Sequence, residues 1–386
     1  MKTKLAIVFS GGGFRGAFQI GALKYLRENW SAFEQGDQMH FDLVAGVSTG
    51  SLNGAMLAMN KVDELITLWE TIAQNGPSEI YTSPFVTTSQ AGEMKFQLNM
   101  EELKKVCGGR LPFDFGLVEM LGLLFKNSKK RNEAIGKMIQ KAIAGLAHGE
   151  HCLRSLADNT PLYKKLLQNL DKDAIRDCRY WCGFVSLDDG TYHSVEHHEF
   201  TSNEEFANGV LASSAMPIIW KPVPKINYGA TEATNASDGG IRNISPLGDI
   251  VKAIHEEEEP CTYKVVIISC HNNNLPEGNY SESNLAQIAL RSLNDIALNE
   301  IFRNDLDLFM SVNDLVLQAE TQGLTLLHPS GRPLRRFDSL IIQPDKGVLA
   351  DTMSFSKDIY RQSVEHGYIK AREAMNAYFK TAMAVA

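Results

Sequence analysis

The stretch of residues 43–57 constrains the fold more strongly than any other part of the sequence. It begins with a short apolar run typical of a strand and ends with small and helix-favouring residues at helical spacing. Between them, residues 46–50 have the pattern Gly-x-Ser-x-Gly, with Ser48 at the centre. Gly46 and Gly50 permit a sharp turn from strand to helix and keep side chains away from the hydroxyl. The pattern indicates a nucleophile elbow at the N-terminus of a helix, and the alternative is a glycine-rich turn whose serine caps the helix.

A second glycine-rich segment follows an apolar run at residues 5–9 and precedes an amphipathic helix. The spacing of Gly11, Gly13 and Gly16 matches Gly-x-Gly-x-x-Gly, the fingerprint of dinucleotide-binding folds. In those folds the next strand ends in an acidic residue about 20 residues further on, whereas here the next apolar run ends in the serine elbow. The other use of such a loop is an oxyanion hole, because consecutive glycines let backbone N–H groups point into one concavity. Arg15 would either hold this loop or attract an anionic headgroup.

The order of predicted elements indicates an α/β fold with a mostly parallel sheet. We expect residues 1–386 to form a single domain, since the sequence has no internal repeat and no interdomain linker. Residues 111–180 are predicted to form a helical insertion in that domain. Strands are predicted at residues 5–9, 43–47, 179–186, 191–196, 218–223, 265–270 and 339–343, and helices at 63–74, 100–107, 204–213, 285–317 and 355–379.

Composition and charge narrow the class of protein. The chain has 386 residues, of which 44% are hydrophobic and 22% charged, as is typical of a globular protein. Its net charge of -8 argues against a nucleic-acid partner. The six scattered cysteines form no zinc-binding pattern, and no apolar run of about 18 residues predicts a membrane span. We therefore expect a cytoplasmic protein with reduced thiols, without a metal or a cofactor.

The apolar stretch at residues 111–125 is followed at once by Lys126, Lys129, Lys130 and Arg131. An apolar face beside a basic cluster predicts peripheral contact with an anionic bilayer surface. A core helix with a solvated end is the alternative interpretation, and we favour it because an apolar stripe more often faces a core.

A serine nucleophile requires a base within hydrogen-bonding distance. Histidine is the base of a Ser-His-Asp triad, and the best candidates among ten histidines are His271, just after a predicted strand, and His328. A carboxylate candidate is Asp238, which is followed by Gly239 and Gly240 and would therefore lie beside bare backbone. Asp-Gly is also common in β-turns, so this segment alone does not identify a base.

Two glycine-rich motifs and the later Asp-Gly-Gly, taken in their order along the chain, resemble the motifs of the patatin-like phospholipases, a family of lipid acyl hydrolases. The resemblance extends to residues 212–217 before the third motif and to Asn243 and Pro246 after it. It covers most of residues 4–250 and the closing helix, and leaves residues 75–180 and 275–340 outside. The motifs are Gly11-Gly12-Gly13-Phe14-Arg15-Gly16, Gly46-Val47-Ser48-Thr49-Gly50 and Asp238-Gly239-Gly240.

The resemblance implies a three-layer α/β/α sandwich and a Ser-Asp dyad that needs neither a histidine nor a metal. Ser48 would attack the ester carbonyl, and Asp238 would act first as general base and then as general acid. A free aspartate has a pKa of about 3.9, so a low-dielectric site would have to raise the pKa of Asp238. The resemblance also assigns an oxyanion hole to Gly11, Gly12, Gly13, Arg15 and Gly16, and supporting roles to Gly46, Gly50, Gly239 and Gly240.

We therefore expect a serine esterase or lipase that hydrolyses acyl esters of phospholipids or related lipids. Its partner would be the lipid ester substrate, met in the cytoplasm or peripherally at a membrane surface. Three alternatives remain open, namely a Ser-His-Asp esterase, a catalytically silent lipid-binding protein and a dinucleotide-binding oxidoreductase. The sequence does not determine the headgroup, the acyl length, the ester position or the oligomeric state.

Overall fold

The centre of the fold is a mixed sheet of eight strands. The computed structural model describes residues 2–34, 36, 38–84, 86–88, 94–96, 155–259, 261–272, 275, 277–281, 288 and 291–385. Two short strands, β3 (Val86–Thr88) and β4 (Met94–Phe96), form a separate hairpin. The strands of the main sheet are β1 (Lys2–Phe9), β2 (Leu43–Val47), β5 (Arg179–Ser186), β6 (Tyr192–Glu196), β7 (Val223–Tyr228), β8 (Thr231–Asp238), β9 (Cys261–Ile268) and β10 (Phe337–Ile342).

Parallel pairing brings the functional motifs to one edge of the main sheet. The strands follow the order β10-β9-β1-β2-β5-β8-β7, with β6 paired to β5. The run from β10 to β5 is parallel, whereas β6 and β8 are antiparallel to β5. Phe9 pairs with Gly46 and with Ile268, so the carboxyl ends of β1, β2 and β9 lie side by side. The two glycine motifs follow β1 and β2 and therefore meet at this edge.

Helices cover both faces of the sheet, which gives the predicted α/β/α sandwich. Alternate residues of β1 enter different buried clusters: Leu5 and Ile7 belong to one, and Ala6 and Val8 to the other. A strand that is apolar on both faces is typical of a parallel sheet with helices on each side. The helices are α1 (Gly16–Glu28), α2 (Trp30–Phe33), α3 (Thr49–Ala58), α4 (Val62–Asn75), α5 (Thr160–Asn169), α6 (Asn203–Ser213), α7 (Leu247–Glu256), α8 (Leu298–Thr321, preceded by a π-helical segment Arg291–Ala297) and α9 (Lys357–Val385).

The last helix packs closely against the first one. A Cβ atom at Gly21 of α1 would lie 1.9 Å from the Val364 carbonyl oxygen, and one at Gly367 of α9 would lie 1.9 Å from the Phe18 carbonyl oxygen. Only glycines allow two helix backbones to approach so closely. The C-terminal helix therefore belongs to the same layer as α1. Within the described residues, no helix is both long enough and apolar enough to cross a bilayer.

Where the predicted elements lie within the described residues, they agree with the structure except at residues 218–223; most of residues 285–290, the start of the helix predicted at 285–317, lie outside. At residues 218–223 a strand was predicted, but β7 begins only at Val223. The preceding residues form a turn in which the Trp220 N–H donates to the Met216 carbonyl at 3.0 Å, and Ile218 has a φ of 74°. Pro217 and this left-handed residue interrupt an extended chain. Of the predicted insertion, residues 111–154 lie outside the described residues, as do the helix at 100–107 and the basic cluster after residue 125.

Candidate active site

Ser48 occupies the sharp turn between β2 and α3. Its backbone has a φ of 56° and a ψ of -129°, a strained conformation for a residue with a side chain. The flanking glycines are required sterically, because a Cβ at Gly46 would lie 2.1 Å from the Gly50 carbonyl oxygen. A Cβ at Gly50 would lie 2.4 Å from the carbonyl oxygen of Phe9. The local geometry is therefore that of a nucleophile elbow.

Asp238 ends β8 and is buried beside that turn. Burial raises the pKa of its carboxyl to about 7, although hydrogen bonds from the Gly240 N–H and the Ser48 side chain act in the opposite direction. The Gly240 N–H lies 2.7 Å from Asp238 Oδ1. A carboxyl with this pKa can both accept and return a proton near neutral pH.

The last turn of α6 contacts both Ser48 and Asp238. The Ser48 N–H donates to Ser213 Oγ at 2.9 Å, and the Asp238 N–H donates to the Ala215 carbonyl at 3.0 Å. The Ser237 hydroxyl donates to the same carbonyl at 2.7 Å. This turn therefore fixes the two backbones relative to each other. Residues 212–217 were part of the family resemblance, but which groups they would contact could not be predicted from the sequence.

The first glycine motif presents two backbone donors next to Ser48. The Gly11 N–H is bound to the Ile244 carbonyl, and the Phe14 N–H to the Thr352 carbonyl, both at 2.9 Å. Within the described part of the chain, the N–H groups of Gly12 and Gly13 have no protein acceptor. A Cβ at Gly11 would lie 3.0 Å from Ser48 Cβ, so the loop is packed against the turn. Gly12 and Gly13 are therefore the members of the motif that can bind an oxyanion.

Arg15 and Gly16 hold the glycine loop in place. Arg15 Nε donates to the Ala350 carbonyl at 2.7 Å, and its Nη2 lies 3.7 Å from Asp295 Oδ1. The Gly16 N–H is turned back onto the carbonyls of Gly13 and Phe14, and a Cβ at Gly16 would lie 2.4 Å from Thr49 Oγ1. Arg15 was expected either to hold this loop or to attract an anionic headgroup, and its contacts support the first role.

The histidines proposed as alternative bases are engaged elsewhere. His271 is buried, and its Nε2 donates to the Gly11 carbonyl at 3.1 Å. Burial, followed by the charge of Arg15, lowers the pKa of His271 to about 3. His328 lies on the surface, with its Nδ1 2.9 Å from Ser330 Oγ. Among the described side chains, no histidine has a hydrogen bond to Ser48.

An apolar cavity of about 70 Å³ lies beside Ser48. Its walls come from the glycine loop, from α3 to α6 and from the segment before α9. Among the described residues that line it, Ser48, Thr49 and Ser214 are the ones that bring hydroxyl groups. The apolar lining suits part of a hydrocarbon chain whose ester carbonyl reaches Ser48. Its apolar side chains include Leu52, Trp69, Ile72, Leu162, Trp220 and Met353.

One cluster in the described residues has the composition of a metal site. Glu196, His197 and His198 offer ligand atoms within 4.8 Å of one another. The Glu196 carboxylate is already bound by Arg179, at 2.9 Å from Nε and 2.6 Å from Nη2. His197 Nδ1 accepts the Tyr180 N–H at 3.3 Å. These groups therefore have protein partners of their own, and they stabilise the start of β5.

Comparison with known proteins gives one family. The sequence model of the family described as patatin-like phospholipase matches residues 7–250. No curated protein gives a significant match. Among solved structures, VipD from Legionella pneumophila aligns with a TM-score of 0.40 and 14% identity over 98% of this chain and 67% of that one. The ExoU-SpcU complex from the type III secretion system of Pseudomonas aeruginosa aligns with a TM-score of 0.29 and 12% identity, over 98% and 52% respectively. At these scores, neither structure supports an inference about this chain.

Proposed function

Because this chain belongs to the patatin-like phospholipase family, we propose that it hydrolyses acyl ester bonds of phospholipids or related lipids through a Ser48–Asp238 dyad. The observation that carries the proposal is the environment of Asp238. Its carboxyl is buried, burial raises its pKa to about 7, and the Ser48 side chain is one of the two groups that act on this pKa in the opposite direction. A base of that pKa suits proton transfer at neutral pH better than an exposed aspartate.

In the acylation step, Asp238 takes the hydroxyl proton of Ser48 while Oγ attacks the ester carbonyl carbon. The carbonyl oxygen becomes an oxyanion, which the N–H groups of Gly12 and Gly13 would stabilise. When the tetrahedral intermediate collapses, the ester C–O bond breaks and Asp238 gives its proton to the leaving alcohol. The product of this step is an acyl ester of Ser48.

In the deacylation step, Asp238 accepts a proton from water, and the resulting hydroxide attacks the acyl-Ser48 carbonyl. The same donors stabilise the second oxyanion. Breaking the bond to Oγ releases the fatty acid, and Ser48 recovers its proton from Asp238. Throughout, the apolar cavity would hold part of the acyl chain, which aligns the carbonyl with Ser48.

The same proposal covers the compartment in which the protein works and its contact with membranes. The described cysteines Cys178, Cys182, Cys261 and Cys270 are free thiols, which supports the cytoplasm as the working compartment. The substrate would be met at the surface of a lipid aggregate, so peripheral contact with a membrane follows from the proposed reaction.

Release of fatty acid from phospholipid vesicles tests this proposal. The wild-type protein is expected to release fatty acid, and Ser48→Ala and Asp238→Asn to lose most of that activity. A matched control is Asp249→Asn, because Asp249 is another aspartate whose pKa burial raises, to about 6, but its carboxylate binds Tyr192 at 2.8 Å. Full activity in Ser48→Ala, or equal losses in the Asp238 and Asp249 variants, would contradict the proposal.

A further inference from the structure

A second cavity, of about 610 Å³, lies on the other face of the sheet. The cavity beside Ser48 is lined by one buried cluster, whereas this one is lined by members of the other, and the two share no lining residue. Its volume is within the range of about 300–1,000 Å³ that ligand sites commonly have. Its apolar walls come from α7, α8 and the start of β10, and include Leu247, Val251, Leu308, Phe309, Val312 and Phe337.

The rim of this cavity exposes large apolar side chains. Leu308 is 65% exposed and Leu327 is 60% exposed, although both line the cavity. Each apolar Å² left in water costs free energy that an apolar occupant would recover. The walls therefore favour a hydrocarbon chain over water.

His255, His328 and Arg335 line one end of the same cavity, and Arg332 lies next to His255 without lining it. Burial lowers the pKa of His255, and the neighbouring His328, Arg335 and Arg332 lower it further. The rings of His255 and His328 are 5.9 Å apart, and Arg332 Nη1 donates to the His255 carbonyl at 3.0 Å. Among the described residues, His255 Nδ1 is buried without a hydrogen-bond partner. Asp305 also lines the cavity, and burial, followed by the charge of Asp249, raises the pKa of its carboxyl to about 6.

We propose that this cavity binds a single-chain anionic amphiphile, with its apolar chain along α7 and α8 and its carboxylate or phosphate head at His255 and Arg335, next to Arg332. An anionic head would offset the positive charge collected there and give His255 Nδ1 an acceptor. The chain would cover Leu308 and Leu327. Binding at this cavity requires no turnover at Ser48, so the inference goes beyond the proposed function and can fail independently of it.

Photo-crosslinking locates the site directly. The probe is dodecanoate with a diazirine in its chain, used below the concentration at which it aggregates, with the adduct mapped by peptide mass on the full chain. The expected adducts fall in α8 or at residues 324–337. Adducts confined to the walls of the cavity beside Ser48, or spread over the surface, would overturn the proposal.

Competition against that probe tests the chemical class of the ligand. Unlabelled dodecanoate and dodecyl phosphate represent the two possible heads, and dodecanol has the same chain without charge. Both anions are expected to compete at about tenfold lower concentration than the alcohol, and the stronger of the two identifies the head. Equal competition by dodecanol would refute the anionic part of the proposal.

Paired variants separate the site from general surface effects. Leu308→Asp should weaken binding about tenfold, whereas Leu315→Asp, on the same helix and 55% exposed but not in the cavity wall, should leave it unchanged. Arg332→Gln should weaken binding of the two anions several-fold and leave dodecanol unaffected. Arg336→Gln, whose Nη2 lies 3.8 Å from Asp338 Oδ1, is its control. Equal behaviour within either pair would show that the cavity is not the site.

Discussion

Asp238 is the residue in which local environment matters most for the proposed chemistry. An aspartate in water has a pKa of about 3.9 and is a weak base toward a serine hydroxyl at neutral pH. Burial in the fold raises the pKa of Asp238 to about 7, even though its carboxyl accepts a hydrogen bond from the Gly240 N–H. The folded chain therefore supplies the proton affinity that the amino acid itself lacks.

The pH dependence of activity follows from this pKa. The dyad works as a base only when Asp238 is ionised, so kcat/KM should rise as pH increases through about 7 and then level off. Hydrolysis of a short soluble ester between pH 5 and pH 9 measures the profile without vesicle effects. A rate that stays constant down to pH 5 would show that a different group with a lower pKa is the base.

The raised pKa of Asp238 also affects the stability of the folded chain. It favours the proposed reaction, but it destabilises the folded chain at neutral pH. Between the unfolded pKa of about 3.9 and the folded pKa of about 7, ionisation of Asp238 favours the unfolded chain. The Asp238 carboxyl therefore makes its full contribution to the stability of the folded chain below pH 4, and that contribution is lost as the pH rises to 7. We expect Asp238→Asn to be more stable than the wild type at pH 8, by on the order of 4 kcal/mol, and to gain little at pH 4. Denaturant unfolding at both pH values measures this, and equal gains would contradict the raised pKa.

Single residues also mark the limit of what the sequence could predict. Ser48 and Asp238 could be identified from their motifs, and Ser48 has the strained turn that Gly-x-Ser-x-Gly predicts. The raised pKa of Asp238 and the contacts of Arg15 could not be predicted, because they depend on burial and on Ala350 and Asp295, more than 250 residues further along the chain from Arg15.

Among the elements, α6 has the most direct influence on the site. Its C-terminal turn receives the N–H of Ser48 at Ser213 and the N–H of Asp238 at Ala215. Ser48 directly follows β2 and Asp238 ends β8, and these two strands are not neighbours in the sheet, since β5 lies between them. The turn of α6 therefore connects two separate strands at the point where the hydroxyl and the carboxyl must meet.

Replacing Ser213 should consequently affect the reaction more than substrate binding. Ser213→Ala removes the acceptor of the Ser48 N–H, and the loss of one buried hydrogen bond is expected to lower kcat about tenfold with little change in KM. Ser213→Thr keeps the hydroxyl and should restore most of the rate. Ser202→Ala is the control at the other end of the same helix, where the hydroxyl accepts the Glu205 N–H at 3.1 Å and does not line the cavity beside Ser48. A rise in KM at constant kcat would argue that Ser213 acts on substrate binding instead.

The elements also show where sequence patterns succeed. β5 runs from Arg179 to Ser186 as predicted, because its apolar run is continuous and is ended by a turn. Residues 218–223 were predicted as a strand from their apolar character, but a proline and a positive φ at Ile218 make them a turn. Hydrophobic content alone does not distinguish a buried turn from a strand.

At the scale of the whole molecule, the main sheet includes strands that lie beyond the end of the family match. The match ends at residue 250, yet β9 pairs with β1 over its full length, and β10 extends the sheet beyond β9. Thr352 binds the glycine loop, and Phe355 stacks on Phe14 with ring centres 4.5 Å apart. These contacts join segments that are far apart along the chain, so the sequence alone could not reveal them. That residues 1–386 form a single domain stays a prediction.

A chain that ends at residue 250 should therefore fail to fold. It would leave β1 as an unpaired apolar edge and uncover the face of α1 that packs on α9. Expression and circular dichroism of residues 1–250 against the full chain measure this directly. A soluble fragment with a cooperative thermal transition would show that the C-terminal third is a separate unit.

The central claim is that Ser48 is a nucleophile activated by Asp238, and covalent labelling tests it most directly. The purified protein is treated with a fluorophosphonate, and the adduct is mapped by peptide mass, with Asp238→Asn and the control Asp249→Asn treated in parallel. We predict one adduct, on Ser48, formed at the wild-type rate in the Asp249 variant and much more slowly in the Asp238 variant. Labelling of another residue, or a rate at Ser48 that does not depend on Asp238, would contradict the dyad.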